Sequence, residues 1–187
     1  SPQYLIGHYA IQMIGGVVIP LNPMYKRTEL EYIVKEAEIE AIISGQELYE
    51  QIDTAWPTLQ LIVTTNYAEL LPKDCTLPIP TELILEKENI PNTFDMLAEI
   101  NACEPLIERV NIDLWEDVGL MVFTSGTTGR PKAAMLTYGN ALFKTAAATH
   151  SYIGNREDTT LATAPFCHIA GMVMGVNLPV YSASTCI

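Results

Sequence analysis

Strand-like and helix-like patterns alternate along the first third of this sequence. The predicted elements, in order, are a helix near Tyr4 to Ile14, a strand Val17 to Leu21, a helix Glu29 to Ala37, a strand Ala41 to Ser44, a helix near Leu48 to Ala55 and a strand Leu61 to Thr64. A repeated strand, helix, strand succession builds a largely parallel sheet with helices against its faces. The predicted fold class is therefore α/β, a layered, largely parallel sheet flanked by helices.

The rest of the chain continues this pattern after one irregular stretch. Residues 67–92 are rich in proline and are expected to be irregular. The elements predicted after them are a helix Thr93 to Ile100, strands Leu120 to Phe123 and Ala133 to Leu136, a helix Asn140 to Tyr152, a strand Thr160 to Ala164 and a helix after His168. With 187 residues, 49% of them hydrophobic, the chain is long enough for one domain with a substantial core.

The predicted helix Glu29 to Ala37 carries the clearest helical signals. Thr28 and Glu31 have the spacing of a capping box, in which a hydroxyl and a carboxylate satisfy the first backbone N–H groups. One apolar face follows at positions i, i+3, i+4 and i+7, formed by Leu30, Ile33, Val34 and Ala37. These residues are expected to build scaffold.

A run of small and hydroxylated residues, Thr124 to Gly129, ends three positions before Lys132. Glycines at positions 126 and 129 let backbone N–H groups approach an anion, and hydroxyls at 125, 127 and 128 add donors. Lys132 supplies a compact positive charge that can reach phosphate oxygens, and Pro131 restricts the backbone before it. This chemistry is suited to holding a polyphosphate.

Two other interpretations of the run are weaker. A flexible surface loop is disfavoured because apolar strand patterns flank the run, and both strands are expected to be buried. The common phosphate-binding loop, G-x-x-x-x-G-K-[ST], is excluded because Gly129 is followed by Arg130 and Pro131.

The stretch from Phe123 to Asn140, FTSGTTGRPKAAMLTYGN, resembles the signature loop of the adenylate-forming (AMP-binding) superfamily. This superfamily includes acyl-CoA synthetases, luciferases and peptide-synthetase adenylation domains, and the chain looks most like an acyl-CoA synthetase. Ala133 stands where glycine is usual, and Tyr138 where histidine is usual. The resemblance implies that Thr128 and Lys132 are catalytic and that ATP is bound by Thr124, Ser125, Gly126, Thr127, Thr128, Gly129 and Lys132.

A second segment, APFCHIAGM, resembles the superfamily's Pro-x-x-His-x-x-Gly pattern through Pro165, His168 and Gly171. The resemblance implies that Phe166, His168 and Gly171 lie on the side of the carboxylic acid substrate. On its own the motif is weak, since a lone histidine beside an apolar stretch is usually a core residue.

The resemblance implies a ligase that activates a carboxylic acid, with a fatty acid expected, to an acyl-adenylate and transfers it to coenzyme A. ATP, Mg²⁺ and coenzyme A are the implied cofactors and co-substrates. Residues 1–187 are expected to be part of the large amino-terminal AMP-binding domain and to be inactive alone, because later ATP, ribose and carboxy-terminal segments have no counterpart. Two alternatives stay open: a phosphoryl-transferring kinase-like protein, and a degenerate nucleotide-binding or interaction module.

Charge and cysteine content limit the partners. The net charge is −12, with 20 acidic and 6 basic residues in 1–117 but 2 acidic and 4 basic residues in 118–187. This charge argues against nucleic acid as a partner, and no apolar stretch reaches the ~20 residues of a membrane span. Four cysteines show no metal-ligand spacing, so no protein metal site is expected. We expect a cytoplasmic protein, with peripheral membrane association of the intact enzyme and the oligomeric state left open.

Overall fold

The computed structural model describes residues 1–52, 56–76, 78–124, 131–152 and 155–187. The chain forms two compact units. Unit one comprises Ser1–Gly7 and Pro23–Glu108, and unit two comprises His8–Asn22 and Arg109–Ile187. Helix α1 (Pro2–Met13) therefore begins in unit one and ends in unit two.

A parallel sheet organises unit one. Its strands are β1 (Ala41–Gly45), β2 (Leu61–Thr65) and β3 (Phe94–Asp95), in that order, and its other elements are helices α2 (Arg27–Glu36) and α3 (Met96–Ala102) and short 3₁₀ helices at Gln46–Gln51, Tyr67–Leu70 and Thr81–Leu83. The register aligns Ala41 with Leu61, and both strand pairs are parallel. The α/β class with a parallel sheet and helices is confirmed. The described residues 67–76 and 78–92 contain short 3₁₀ helices but no strand or α-helix, in agreement with the predicted irregular stretch.

Helix α2 buries three of the four residues of the predicted apolar face and starts earlier than expected, while Ala37 is its half-buried C-cap. Leu30, Ile33 and Val34 are buried, as predicted. The predicted capping box of Thr28 and Glu31 is wrong, because the backbone is already helical from Arg27. Instead, the Glu29 carboxylate accepts a hydrogen bond from the backbone N–H of Lys26 at 2.8 Å.

Unit two combines an antiparallel strand pair with helices. Its elements after α1 are β4 (Val118–Thr124), β5 (Lys132–Thr137), α4 (Tyr138–Tyr152), β6 (Thr159–Thr160), α5 (Ile169–Gly171), a π-helical turn (Met172–Asn177), α6 (Leu178–Ser182) and β7 (Thr185–Cys186). Strands β4 and β5 are antiparallel, whereas β6 and β7 are parallel. The loop with the candidate phosphate residues therefore connects the two strands of a hairpin.

Several predicted elements are shorter than expected. The strand Val17 to Leu21 reduces to a parallel bridge between Val18 and Leu120, because Pro20 has no N–H to donate to a ladder. The helix near Leu48 to Ala55 is a 3₁₀ helix that ends at Gln51, before extended Ile52, and residues 53–55 lie outside the described residues.

Two further boundaries differ for local reasons. The helix predicted from Thr93 begins at Met96, because Asp95 caps it by accepting a hydrogen bond from the Ala98 N–H at 2.8 Å. The strand predicted over Thr160 to Ala164 is only β6, whose two residues pair with β7 before the chain reaches Pro165.

The two hairpin strands differ in burial. Leu120 and Val122 of β4 are buried, with 1% and 7% of their surface exposed. The expectation that β5 is also buried is wrong, since Met135 is 65% exposed. In the described part of the chain β5 pairs only with β4, so it lies at the edge of this sheet. The loop therefore has one buried strand and one exposed strand at its base.

A buried histidine in α1 predicts a pH dependence of stability. His8 is 3% exposed, and burial lowers its pKa to about 4, from 6.5. His8 takes up a proton near pH 6.5 in the unfolded chain but only near pH 4 in the folded chain. The stability that depends on neutral His8 is therefore complete above pH 6.5 and is lost as the pH falls towards 4. We expect the free energy of unfolding to fall by about 2 kcal/mol between pH 7 and pH 5 from this group.

Urea titrations of the wild-type chain and of His8→Gln at both pH values measure this effect. The glutamine variant should lose about 2 kcal/mol less than the wild type, because its side chain takes up no proton. His150→Gln, on the exposed side of α4, is the matched control and should follow the wild type. Equal pH-induced losses in the wild type and in His8→Gln would show that His8 does not cause the dependence.

Candidate functional site

The hairpin of β4 and β5 places two of the predicted phosphate-binding residues at its open end. Thr124 ends β4 and lies opposite Lys132, which begins β5. Both residues are exposed. The other predicted phosphate residues, namely Ser125, Gly126, Thr127, Thr128 and Gly129, lie outside the described residues.

Thr124 and Lys132 also bond to each other at the base of the loop. The Thr124 hydroxyl donates to the backbone carbonyl of Lys132 at 3.3 Å. The lysine side chain takes no part in that bond, so its ammonium group stays accessible at the end of an ordered strand. This arrangement can present a positive charge to an anion, while Thr124 closes the hairpin.

The end of the signature segment, Thr137 to Asn140, forms the junction between β5 and α4. The Thr137 N–H donates to Oδ1 of Asn140 at 3.1 Å, and the Asn140 N–H donates to Oγ1 of Thr137 at 3.1 Å. This reciprocal pair is a capping box, which satisfies two N–H groups at the start of a helix. The threonine and asparagine of the motif therefore fix where β5 ends and α4 begins.

Tyr138, which departs from the superfamily pattern, is well integrated into unit two. Its hydroxyl lies 2.9 Å from the Gly16 carbonyl and 3.3 Å from the Gln12 carbonyl. Its ring covers Gly119 of β4 so closely that a β-carbon there would lie 2.8 Å from Cδ2 of Tyr138. Burial raises the pKa of the Tyr138 hydroxyl, with a further contribution from the Asp117 carboxylate. The neutral Tyr138 side chain thus fixes the start of α4, directly after β5, against the rest of unit two.

The second motif forms a tight turn followed by a helix start. The His168 N–H donates to the Pro165 carbonyl at 3.0 Å, and the Met172 N–H donates to the His168 carbonyl at 2.9 Å. Nδ1 of His168 accepts a hydrogen bond from the Ala170 N–H at 3.2 Å, so the histidine is the N-cap of α5. Because Nδ1 is an acceptor, a neutral ring carries its proton on Nε2. His168 is exposed, so Nε2 is available to a ligand.

Gly171 and Phe166 have different roles in this turn. Gly171 is buried, and a β-carbon on it would lie 2.1 Å from the Pro165 carbonyl oxygen, so only glycine fits. Phe166 is half-buried, with its ring against Gly175 of the π-helical turn. The structure gives Gly171 a packing role, while substrate contacts of Phe166, His168 and Gly171 stay predictions. Burial raises the pKa of the neighbouring Cys167 thiol, which disfavours the nucleophilic thiolate.

The charge of the chain is divided between the two units. Unit one carries 17 acidic and 5 basic residues, whereas unit two, with the hairpin, carries 5 of each. The whole net charge of −12 thus belongs to unit one. The candidate anion site lies in the neutral unit, where repulsion of a polyphosphate is smallest.

The resemblance also implies Mg²⁺. Among the described residues, no group of three or more His, Cys, Asp or Glu side chains could hold a metal ion. Within the same parts of the chain, no helix is both long and apolar enough to cross a bilayer.

Sequence reasoning missed two glycines near these motifs, Gly119 and Gly175. Gly119 accommodates the Tyr138 ring, and Gly175 accommodates the Phe166 ring. The sequence did contain a signal for Gly175. Its carbonyl would accept a hydrogen bond from residue 179 in a regular α-helix, but Pro179 has no N–H to donate. Gly119 offered no comparable signal, because its partner is distant in sequence.

Known proteins resemble this chain in sequence. A family model described as AMP-binding enzyme matches residues 1–187. A long-chain-fatty-acid–CoA ligase of Bacillus subtilis (strain 168) is 30% identical over 94% of this chain and 33% of its own length. The mitochondrial malonate–CoA ligase ACSF3 of Mus musculus is 28% identical over 98% of this chain and 27% of its own length.

Solved structures show the same fold. A crystal structure of a long-chain-fatty-acid-CoA ligase from Archaeoglobus fulgidus superimposes with a TM-score of 0.78, 25% identity and coverage of 100% of this chain and 33% of that one. An anthranilate CoA ligase in complex with anthranoyl-AMP, 21% identical, gives a TM-score of 0.80 over 100% of this chain and 33% of that one. The chain thus spans about a third of the length of these relatives. The predicted resemblance is confirmed, and the chain belongs to the AMP-binding enzyme family.

Proposed function

We propose that the intact protein is an AMP-forming acid–CoA ligase that activates a carboxylic acid, with a fatty acid as the favoured class. Membership of the AMP-binding enzyme family supports the reaction type. The relative that is 30% identical carries a long-chain fatty acid in its name, whereas another carries malonate, so the acid itself is part of the proposal. The observation that carries the proposal is the hairpin, with an accessible Lys132 at the end of the signature loop.

In the proposed reaction a carboxylate oxygen attacks the α-phosphorus of ATP. A new carbon-oxygen-phosphorus linkage forms, the bond to the bridging oxygen breaks, and pyrophosphate leaves with that electron pair. The sulfur of coenzyme A then attacks the acyl carbon and loses its proton, and AMP is released. Lys132 and residues 124–129, with Thr128 as the second catalytic residue, would hold the leaving phosphates while negative charge develops on them.

The substrate side is assigned to the second motif. His168 leaves Nε2 free, because its Nδ1 is used in capping α5, and an Nε2–H can donate to a carboxylate oxygen. Phe166 offers an apolar surface to the acyl group, and Gly171 keeps the turn closed beneath both residues. Mg²⁺ would enter with the phosphates of ATP and supply positive charge beside them.

We also propose a cellular compartment for the protein and a longer chain for turnover. All four cysteines are free, which suits a reducing compartment such as the cytoplasm. The chain covers about a third of its relatives, so we assign turnover to a longer protein and expect residues 1–187 alone to form no adenylate.

Product analysis with the intact protein tests the proposal. The protein is incubated with ATP, Mg²⁺, coenzyme A and acids of increasing length, and the nucleotides are separated. We expect AMP and pyrophosphate, formed only when an acid is present. ADP in place of AMP would identify a phosphoryl-transferring kinase-like protein. Failure to bind ATP in a calorimetric titration would identify a degenerate module.

A further inference from the structure

Strand β4 carries one extra residue at the end of the hairpin that lies away from the phosphate loop. Val118 pairs with Thr137 and Leu120 pairs with Leu136, so Gly119 stands between two consecutive pairs without a partner of its own on β5. This irregularity is a β-bulge, which shifts the register of every pair beyond it by one residue. All the pairs from Leu120 to the phosphate loop therefore depend on it.

The Tyr138 ring packs against this bulge. A β-carbon on Gly119 would lie 2.8 Å from Cδ2 and 2.9 Å from both Cε2 and Cγ of the ring, so only glycine allows this approach. The Tyr138 N–H donates to the Asp117 carbonyl at 3.2 Å, and its hydroxyl donates to the Gly16 carbonyl at 2.9 Å. The Gly119 carbonyl accepts a hydrogen bond from the Val18 N–H at 3.1 Å. The bulge is thus held by the ring and by the chain beside β4.

The bulge determines which residue of β4 lies opposite Lys132. With the bulge present, Thr124 lies opposite Lys132, and its hydroxyl donates to the Lys132 carbonyl at 3.3 Å. Without the extra residue, the register that pairs Val118 with Thr137 would continue along the strands and place Phe123 opposite Lys132. Because successive residues of a strand point to opposite faces, this slip would move the Lys132 side chain to the other face of the hairpin.

We infer that Gly119 and Tyr138 are positioning residues, which fix the register of the hairpin and thereby the face on which Lys132 meets the phosphates of ATP. The role of Lys132 rests on the proposed function, whereas the register is a property of the hairpin that can be measured separately. A methyl group on Gly119 would collide with Cγ, the ring atom nearest the Tyr138 backbone. Either the ring leaves its place or the bulge is lost, and in both cases the register is no longer held.

The first test is a double-mutant cycle on ATP–pyrophosphate exchange by the intact protein. Lys132→Ala should lower exchange about 10²- to 10³-fold in the wild-type background but less than about fivefold in Gly119→Ala, where the lysine is already misplaced. Partial unfolding lowers exchange equally with and without Lys132, so it leaves this ratio unchanged. Gly45→Ala is the matched control, since its methyl group faces the flexible Glu47 carboxylate at another buried strand glycine. It should keep the full effect of Lys132→Ala.

Two variants of Tyr138 separate the ring from the hydroxyl. Tyr138→Phe keeps the ring on Gly119, so Lys132→Ala should still lower exchange by at least about 10²-fold in that background. Tyr138→Ala removes the ring and should reduce the effect of Lys132→Ala to less than about fivefold. It replaces Gly119→Ala in the test if that variant does not fold.

Disulfide formation reports the register without any activity. Met121→Cys with Met135→Cys joins residues that lie directly opposite each other in the observed register, whereas Met121→Cys with Ala134→Cys joins residues that do so after the slip. The first pair should oxidise faster in the wild-type background, and this preference should be lost or reversed in Gly119→Ala. Peptide mapping by mass spectrometry measures both pairs.

The outcomes distinguish the inference from the proposed function. If Lys132→Ala leaves exchange unchanged in the wild-type background, the proposed role of Lys132 is wrong, and the disulfide preference alone decides the register. A full effect of Lys132→Ala in folded Gly119→Ala or Tyr138→Ala overturns the inference. An unchanged disulfide preference in Gly119→Ala overturns it as well.

Discussion

Replacing Lys132 by alanine in the intact protein is expected to lower acid-dependent ATP–pyrophosphate exchange by about 10²- to 10³-fold. Lys132 begins β5 at the open end of the hairpin and is exposed. A cation placed at the leaving phosphates stabilises charge that develops in the transition state, so its removal lowers the rate. The melting temperature should not change, because in the described structure the lysine side chain bridges to no carboxylate.

Lys144→Ala is the matched control for this variant. Lys144 is exposed on α4 of the same unit, so its substitution changes the net charge equally at a position outside the two hairpin strands. Its exchange rate should stay within about twofold of the wild type, as for a remote surface charge. Exchange by Lys132→Ala that equals exchange by Lys144→Ala at limiting ATP would remove Lys132 from the proposed site.

The sequence predicts those parts of the fold that depend on neighbouring residues. The apolar face of α2 and the two strands β1 and β2 appear where periodicity places them, because burial of one face requires that spacing. Boundaries were less accurate where a single side chain decides them. From the sequence alone Asp95 could continue the predicted helix or cap a later one. The structure places Asp95 in β3, paired with β2, and its side chain accepts from the Ala98 N–H as the cap of α3.

The sequence predicts a chemistry for the site but not its contacts. The resemblance to the signature predicts that Lys132 is the cation near the phosphates, whereas the bond from the Thr124 hydroxyl to the Lys132 carbonyl depends on strand register. The exposure of β5 could not be predicted from its composition either, because AAMLT is as apolar as a buried strand. Register and burial both depend on residues distant in sequence, which a local pattern does not contain.

The second large effect is expected for Gly171→Ala, which should lower the free energy of unfolding by about 4 kcal/mol. The new methyl group would lie 2.1 Å from the Pro165 oxygen, 2.6 Å from its carbonyl carbon and 2.7 Å from the Ala164 oxygen. All three atoms belong to the backbone of a turn that the His168 N–H holds closed at 3.0 Å. The turn must therefore open to accept the methyl group, and a side-chain rotation cannot relieve the contact.

Gly7→Ala provides the control, since it makes the same substitution at another buried helical glycine. There the nearest atom to the new methyl group is Cδ1 of Ile43 at 3.0 Å, at the end of a flexible side chain. The higher helix propensity of alanine offsets that contact by up to about 1 kcal/mol, so the control should be close to neutral. Urea unfolding followed by circular dichroism compares the two variants. If the free energies of unfolding of Gly171→Ala and Gly7→Ala differ by less than about 1 kcal/mol, the Pro165 turn opens easily and the packing role of Gly171 is wrong.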